Sequence, residues 1–266
     1  MHWRAAVKIA YDGRNFMGSQ RQPGLNTVES EVIAALLKIE AISSVDEARF
    51  GFASRTDRGV SAIGNVAAFN TSFPKEKLLQ ALNANSENIY YHALAEVPDD
   101  FYPRYARGRW YRYVISDKNR NETLLKECAK LFEGTHDFKR FCKADGKDTL
   151  KTLDKIEISH EENTYVIDIQ SREFLRNMIR RIVAALDSVA KGYSELNDVQ
   201  QALEGEDLTF GLAAPEPLIL MDVWYDFTFQ KDLPDTLAKK LDLQDEDFAS
   251  RACFAKALSN RECIIK

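Results

Sequence analysis

Runs in which every second residue is apolar take turns, along most of the chain, with stretches whose apolar residues recur every three or four positions. That alternation restricts the chain to a fold in which helices and strands share one core. The period-2 runs predict strands at 4–11, 63–70, 89–97, 108–116, 153–159, 164–171 and 218–229. Between them lie predicted helices. One opens at a capping box of Asn26 and Glu29 and turns Val28, Val32, Ile33, Leu36 and Leu37 inward. Others run from Pro74 to Asn83, over 122–132, over 174–190, and from a Ser194 cap to Leu203. The expected architecture is α+β, with two similar lobes at 1–117 and 118–230 joined at the polar stretch DKNRNE (117–122). Residues 231–266 form an acidic extension that favours helix.

The length of 266 residues allows one to two domains. No apolar run approaches the ~20 residues of a membrane span, and the N-terminal MHWRAAVKIAYDG lacks the layout of a signal peptide. A cytosolic protein is expected. Cys128, Cys142, Cys253 and Cys263 are scattered, as are His2, His92, His136 and His160, so neither a disulfide framework nor a zinc site is expected. The net charge of −5 hides a local excess. Arg104, Arg107, Arg109, Arg112, Lys118 and Arg120 face one acid, Asp117, and Arg172, Arg176, Arg180 and Arg181 face only Glu173. A mildly acidic protein can therefore carry a basic cleft.

Three clusters bear chemistry. In SRTDRG (54–59), Asp57 lies between Arg55 and Arg58, and nearby positive charge favours the carboxylate form, which suits a nucleophile or general base and not a general acid. Gly59 permits a turn that a bulkier residue resists. Standing alone, the segment is also an ordinary charged surface turn. In RWYRYVI (109–115), strand alternation puts Arg109, Tyr111 and Tyr113 on one face, a stacking surface beside phosphate partners of the kind that holds unpaired RNA bases. In FLRNMIRRIV (174–183), Leu175, Met178, Ile179, Ile182, Val183 and Leu186 form an apolar helix face, with Arg176 and Arg180 along its edge. Arg176 is expected to snorkel from the core margin, and Arg180 to pair with a half-buried carboxylate. There is no P-loop, dinucleotide fingerprint, HExxH or GxSxG pattern.

With these clusters in this order, the chain resembles the tRNA pseudouridine synthases that act in the anticodon stem-loop. The resemblance also covers YDGRNFMGSQRQPG (11–24), DFYPRYARGRWYRYVI (100–115), FEGTHDFKRFC (132–142) and GLAAPEPLILMDVWYD (211–226). It implies two ferredoxin-like lobes with adjoining antiparallel sheets and an RNA-binding cleft between them. It further implies a homodimer, no cofactor, and uridines 38–40 of the tRNA as targets. Residue by residue, Asp57 matches the catalytic aspartate, Arg55 the arginine that helps expose the base, Tyr111 the tyrosine that stacks on it and handles a proton, and Arg180 the partner of the aspartate. Arg109, Arg104 and Arg21 are further expected RNA contacts. Ser54 stands where the family more often has Gly, Ser61 where it often has His, and Arg58 where it has a smaller residue or Lys. Gly18-Ser19-Gln20 lacks the customary aromatic, and Arg180-Arg181 stands where Arg-Asn is usual. A non-catalytic RNA-binding module has no use for a carboxylate that repels phosphate. A hydrolase would need a second carboxylate or a metal cluster, and no motif for either is recognisable.

Overall fold

The computed structural model describes residues 2–231 and, within them, two units of the same β-α-β-β-α-β order. The first comprises β1 (Trp3–Tyr11), α1 (Val28–Lys38), β2 (Gly51–Phe52), β3 (Ser61–Thr71), α2 (Lys75–Ala84) and β4 (Ile89–Val97). The second has β5 (Gly108–Ser116), α3 (Glu122–Leu131), a small hairpin of β6 (Gly134–Asp137) and β7 (Leu150–Leu153), then β8 (Lys155–Glu161) and β9 (Thr164–Ser171). It closes with α4 (Met178–Ala190), α5 (Leu196–Leu203) and β10 (Leu218–Trp224), and β11 (Gln230–Lys231) follows.

In each unit the strands lie in the spatial order fourth, first, third, second: β4-β1-β3-β2 and β10-β5-β9-β8. Every pairing within a unit is antiparallel. This is the split βαβ arrangement of ferredoxin-like folds. The two sheets adjoin, and they do so through a short parallel step in which Ile219 and Leu220 of β10 pair with Ser61 and Ala62 of β3. One nine-stranded sheet results. The second unit opens with β5, so the chain crosses between units after Val97 and before Gly108, ahead of the polar stretch at 117–122. That stretch is instead the β5–α3 connection, and it is polar because Asn121 caps α3 by accepting from the Leu124 N–H.

Several local expectations are corrected. The α1 box is formed by Thr27 and Ser30, each hydroxyl accepting from the other's backbone N–H, at 3.2 and 3.0 Å. Asn26 donates to the Asn15 carbonyl, and Glu29 accepts from the Arg21 N–H. Glu195 caps α5, its N–H donating to Asp198, while Ser194 meets the Ser188 hydroxyl. α4 starts at Met178 and not at 174, because Asn177 takes a left-handed conformation with φ 62°. Asn is among the few residues that adopt that region readily. The apolar face nevertheless runs as expected, with Leu175, Met178, Ile179, Ile182, Val183 and Leu186 all buried. Arg176 leaves the helix, exposed, with Nη1 3.6 Å from Asp145. The strand predicted over 218–229 stops at Trp224, after which Tyr225 stacks on Phe227, Phe229 lies tilted against Phe227, and Tyr225 and Phe227 both meet Phe101 edge-to-face. β11 then pairs with β4, which returns the chain to the first unit. The acidic extension lies, but for Lys231, outside the described residues.

Candidate active site

The parallel step sets the position of the charged turn, because Asp57 to Val60 immediately precede the Ser61 and Ala62 pairs. The turn itself is stitched from four sides. Ser54 exchanges backbone bonds with the Asn65 amide, donating to Oδ1 and accepting from Nδ2, at 3.2 and 3.0 Å. The Thr56 N–H donates to the Ser19 hydroxyl at 2.7 Å, and the Ser19 N–H returns a bond to the Thr56 carbonyl. The Tyr11 hydroxyl meets Thr56 Oγ1 at 2.8 Å. Gly59, at φ +88°, turns the chain and donates its N–H to the Gly13 carbonyl. Gly13 has no room for a side chain, since a Cβ there would sit 2.2 Å from the Val60 carbonyl oxygen. Its own N–H donates to Ser61 Oγ at 3.0 Å. A loop held at this many points keeps its carboxylate in one place, which is what a catalytic group requires.

The Asp57 carboxylate is 37 % exposed and faces Arg180 of α4, whose Nη1 lies 3.3 Å from Oδ2. Arg180 is itself held by its Nε, which donates to the Ala213 carbonyl at 2.7 Å. The other Asp57 oxygen, Oδ1, has no hydrogen bond among the described residues. Tyr111 points from β5 into the same cleft, buried, with its ring edge-to-face against Phe174 at 5.3 Å. Burial pushes its hydroxyl up to about 12, with Asp57 adding to the effect, while Arg109 and the Ser54 side chain oppose it. Tyr113, on the same strand face, is covered, and its hydroxyl donates to the Ala214 carbonyl.

The cleft between these groups has a volume of about 920 Å³. Arg55, Arg58, Arg104 and Arg172 line it, all exposed, and none of their side chains has an ion-pair partner among the described residues. Arg109 also lines it but from beneath. It is 8 % exposed and donates Nε to Ser54 Oγ, Nη2 to the carbonyls of Ala53 and Arg104, and Nη1 to that of Arg172. It therefore binds the three loops that carry Arg55, Arg104 and Arg172 to one point, with little left to offer a ligand. Arg21 is exposed on the first loop and does not line the cleft.

Sequence reasoning missed the hydroxyls and the amide that fix the loop. Ser19, Ser54 and Ser61 stood out only as departures from the resemblance, with no role assigned. Asn65 carried a usable signal, being a polar residue inside an otherwise apolar strand. Among the described residues no group of three or more His, Cys, Asp or Glu could hold a metal ion, and no helix is long and apolar enough to cross a membrane.

Comparison with known proteins finds relatives over most of the chain. A family model described as tRNA pseudouridine synthase matches residues 128–226. A "tRNA pseudouridine synthase A" of Pyrococcus abyssi is 40 % identical over 92 % of this chain and 92 % of its own length. One from Thermococcus sibiricus is 42 % identical over 84 % and 85 %, and one from Thermococcus gammatolerans 38 % identical over 99 % of each. The chain, with its carboxylate turn at the seam of two ferredoxin-like units, belongs to the tRNA pseudouridine synthase family of isomerases.

Proposed function

We propose that the protein converts uridine to pseudouridine in the anticodon stem-loop of tRNA, with Asp57 as the catalytic carboxylate. The observation that carries this reading is the convergence, in one cleft, of Asp57, Tyr111 and Arg180, the first and last of them 123 positions apart in the chain. The reaction breaks N1–C1′, turns the base, joins C5 to C1′ and exchanges a proton on C5 for one on N1. Reactant and product are isomers, so no redox partner is needed. A carboxylate can start the exchange by adding to C1′ or by taking the C2′ proton. Either route needs an unencumbered oxygen, which Asp57 Oδ1 supplies while Arg180 steadies Oδ2.

A stacked uridine cannot reach such a site, so it must be extruded from the stem-loop. Tyr111 then replaces the lost stacking and handles a proton in the exchange between C5 and N1, and Arg55, free at the rim, fills the space left behind. Arg58, Arg104 and Arg172 neutralise backbone phosphates around the opening. The same family resemblance extends the proposal to a homodimer working in the cytosol.

Carbodiimide mapping of tRNA incubated with the protein tests the assignment. New stops at anticodon stem-loop uridines are expected, and bound but unmodified tRNA would leave only an RNA-binding role. Binding should also weaken steeply with salt despite the acidic composition. Three guanidiniums set on phosphates give an expected slope of about −2 to −3 in log affinity against log salt, made shallower by about one unit in Arg104→Ala. A flat dependence in filter-binding titrations would contradict the basic rim.

A further inference from the structure

Tyr105 lines the cleft with its ring in water, 81 % exposed, whereas Tyr111 in the same cleft is 6 % exposed. One lies at the mouth and the other at the floor. The Tyr102 ring, 44 % exposed, meets that of Tyr105 at a tilt, with centroids 5.4 Å apart. A lone exposed aromatic is ordinary on a protein surface. What sets Tyr105 apart is the backbone beneath it. Tyr102 to Tyr105 form a turn closed by the Tyr105 N–H on the Tyr102 carbonyl at 3.1 Å, with Pro103 buried at its second position. The Tyr225 hydroxyl donates to the Pro103 carbonyl at 2.5 Å, and Arg109 Nη2 donates to the Arg104 carbonyl at 3.0 Å. The Pro103 ring lies against Gly51 of β2, so close that a Cβ there would touch its Cγ at 3.5 Å. Three successive carbonyls are thus engaged, and the turn is fixed while the ring it carries stays in solvent. Arg104, the preceding residue, lines the same cleft, exposed and without an ion-pair partner among the described residues. A cation and a ring in succession match the phosphate and base that an unpaired nucleotide presents in succession.

We propose that Tyr105 is a stacking platform for an unpaired loop base of the RNA whose uridine is extruded into the cleft, with Arg104 on a phosphate beside that base. The inference rests on tRNA as the substrate and not on the chemistry of Asp57. Tyrosine has only two side-chain torsions to fix, and its turn is already clamped, so holding a base there costs little entropy. A stem-loop offers such a base next to its stem, and a continuous duplex does not. Tyr105 would therefore favour uridines at the edge of a loop over uridines buried in a helix, a selection made outside the reacting centre.

Filter-binding titrations of the full-length protein carrying Asp57→Asn, which keeps a tRNA transcript unmodified, test the platform. Adding Tyr105→Ala should weaken binding by about five- to 150-fold, the range for losing one base–aromatic stack. Tyr105→Phe should bind like the parent, and Tyr105→Leu, which is apolar but cannot stack, should resemble Tyr105→Ala. Because the stack carries no charge, the salt slope in Tyr105→Ala should be unchanged. A ring that merely kept Arg104 in place would instead make the slope shallower by about one unit, as in Arg104→Ala. Tyr193, equally exposed but outside the cleft, supplies the control, and Tyr193→Ala should have no effect. A scan of abasic nucleotides through the anticodon loop should find one position where the parent loses affinity and Tyr105→Ala loses nothing further. Melting curves establish that each variant is folded. Parental affinity in folded Tyr105→Ala or Tyr105→Leu, a shallower slope in Tyr105→Ala, or an abasic scan without such a position would overturn the platform. Binding without pseudouridine formation by the unsubstituted protein would overturn the catalytic reading alone, since the stacking comparison reads affinity.

Discussion

Asp57→Asn is expected to lose tritium release from 5-labelled uridine by on the order of 10⁴-fold or more, the scale seen when one member of a catalytic set is removed. An amide oxygen is neither a competent nucleophile at C1′ nor a base for the C2′ proton, so both candidate routes fail together. The substitution is nearly isosteric and leaves the hydroxyl, amide and glycine contacts of the loop unchanged. Binding of tRNA should therefore stay within a few-fold of the parent. A slight tightening would be consistent with removing a negative charge from a cleft that faces phosphates. Because the product has the mass of the substrate, the measurement must count tritium or map the modified nucleotide. Parental turnover in this variant would end the assignment of Asp57.

The second large effect is expected at Arg180. Its guanidinium spans two anchors, the Ala213 carbonyl at 2.7 Å and Asp57 Oδ2 at 3.3 Å, and its side chain is 14 % exposed. Arg180→Ala removes the fixed cation and leaves Asp57 free to rotate, so kcat should fall by about 10²- to 10³-fold. Two unmade bonds at a largely buried position should also lower stability by roughly 1–3 kcal/mol. Arg180→Lys should recover only part of the rate, since one ammonium cannot reproduce a planar fork serving two acceptors. Single-turnover rates paired with thermal melts separate the two effects. Equal losses of rate in Arg180→Ala and Arg180→Lys would mean that geometry, and not charge, is what the arginine supplies.

The sequence disclosed the fold wherever periodicity extends over whole elements. β1, β4, β5 and β9 carry apolar or alternating runs long enough to be seen unaided, and α4 shows its apolar face clearly. The start of α4 was hidden because Asn177 is only mildly unfavourable inside a helix, and nothing local reports that it adopts a left-handed φ. The β10–β3 step was hidden for a different reason. It involves two residue pairs between segments far apart in the chain, and pairing partners leave no mark on local pattern. At the site, the motif residues Asp57, Tyr111 and Arg180 were legible because charge or aromaticity set them apart, whereas Ser19, Ser54 and Ser61 were not. A serine contributes by where its single oxygen sits, and that is a property of the assembled loop.

The parallel step between β3 and β10 has a consequence for tolerance. A nine-stranded twisted sheet accumulates small angular errors from strand to strand, and they are greatest at its outer edges. Here the halves of the molecule are registered at the middle of the sheet, within a few residues of Asp57, with Arg180 hung from the segment that leads into β10. Drift at the far strands therefore subtracts nothing from the alignment of carboxylate and guanidinium. Changes confined to the outer strands and their loops therefore leave the geometry of the proposed reacting centre as it is.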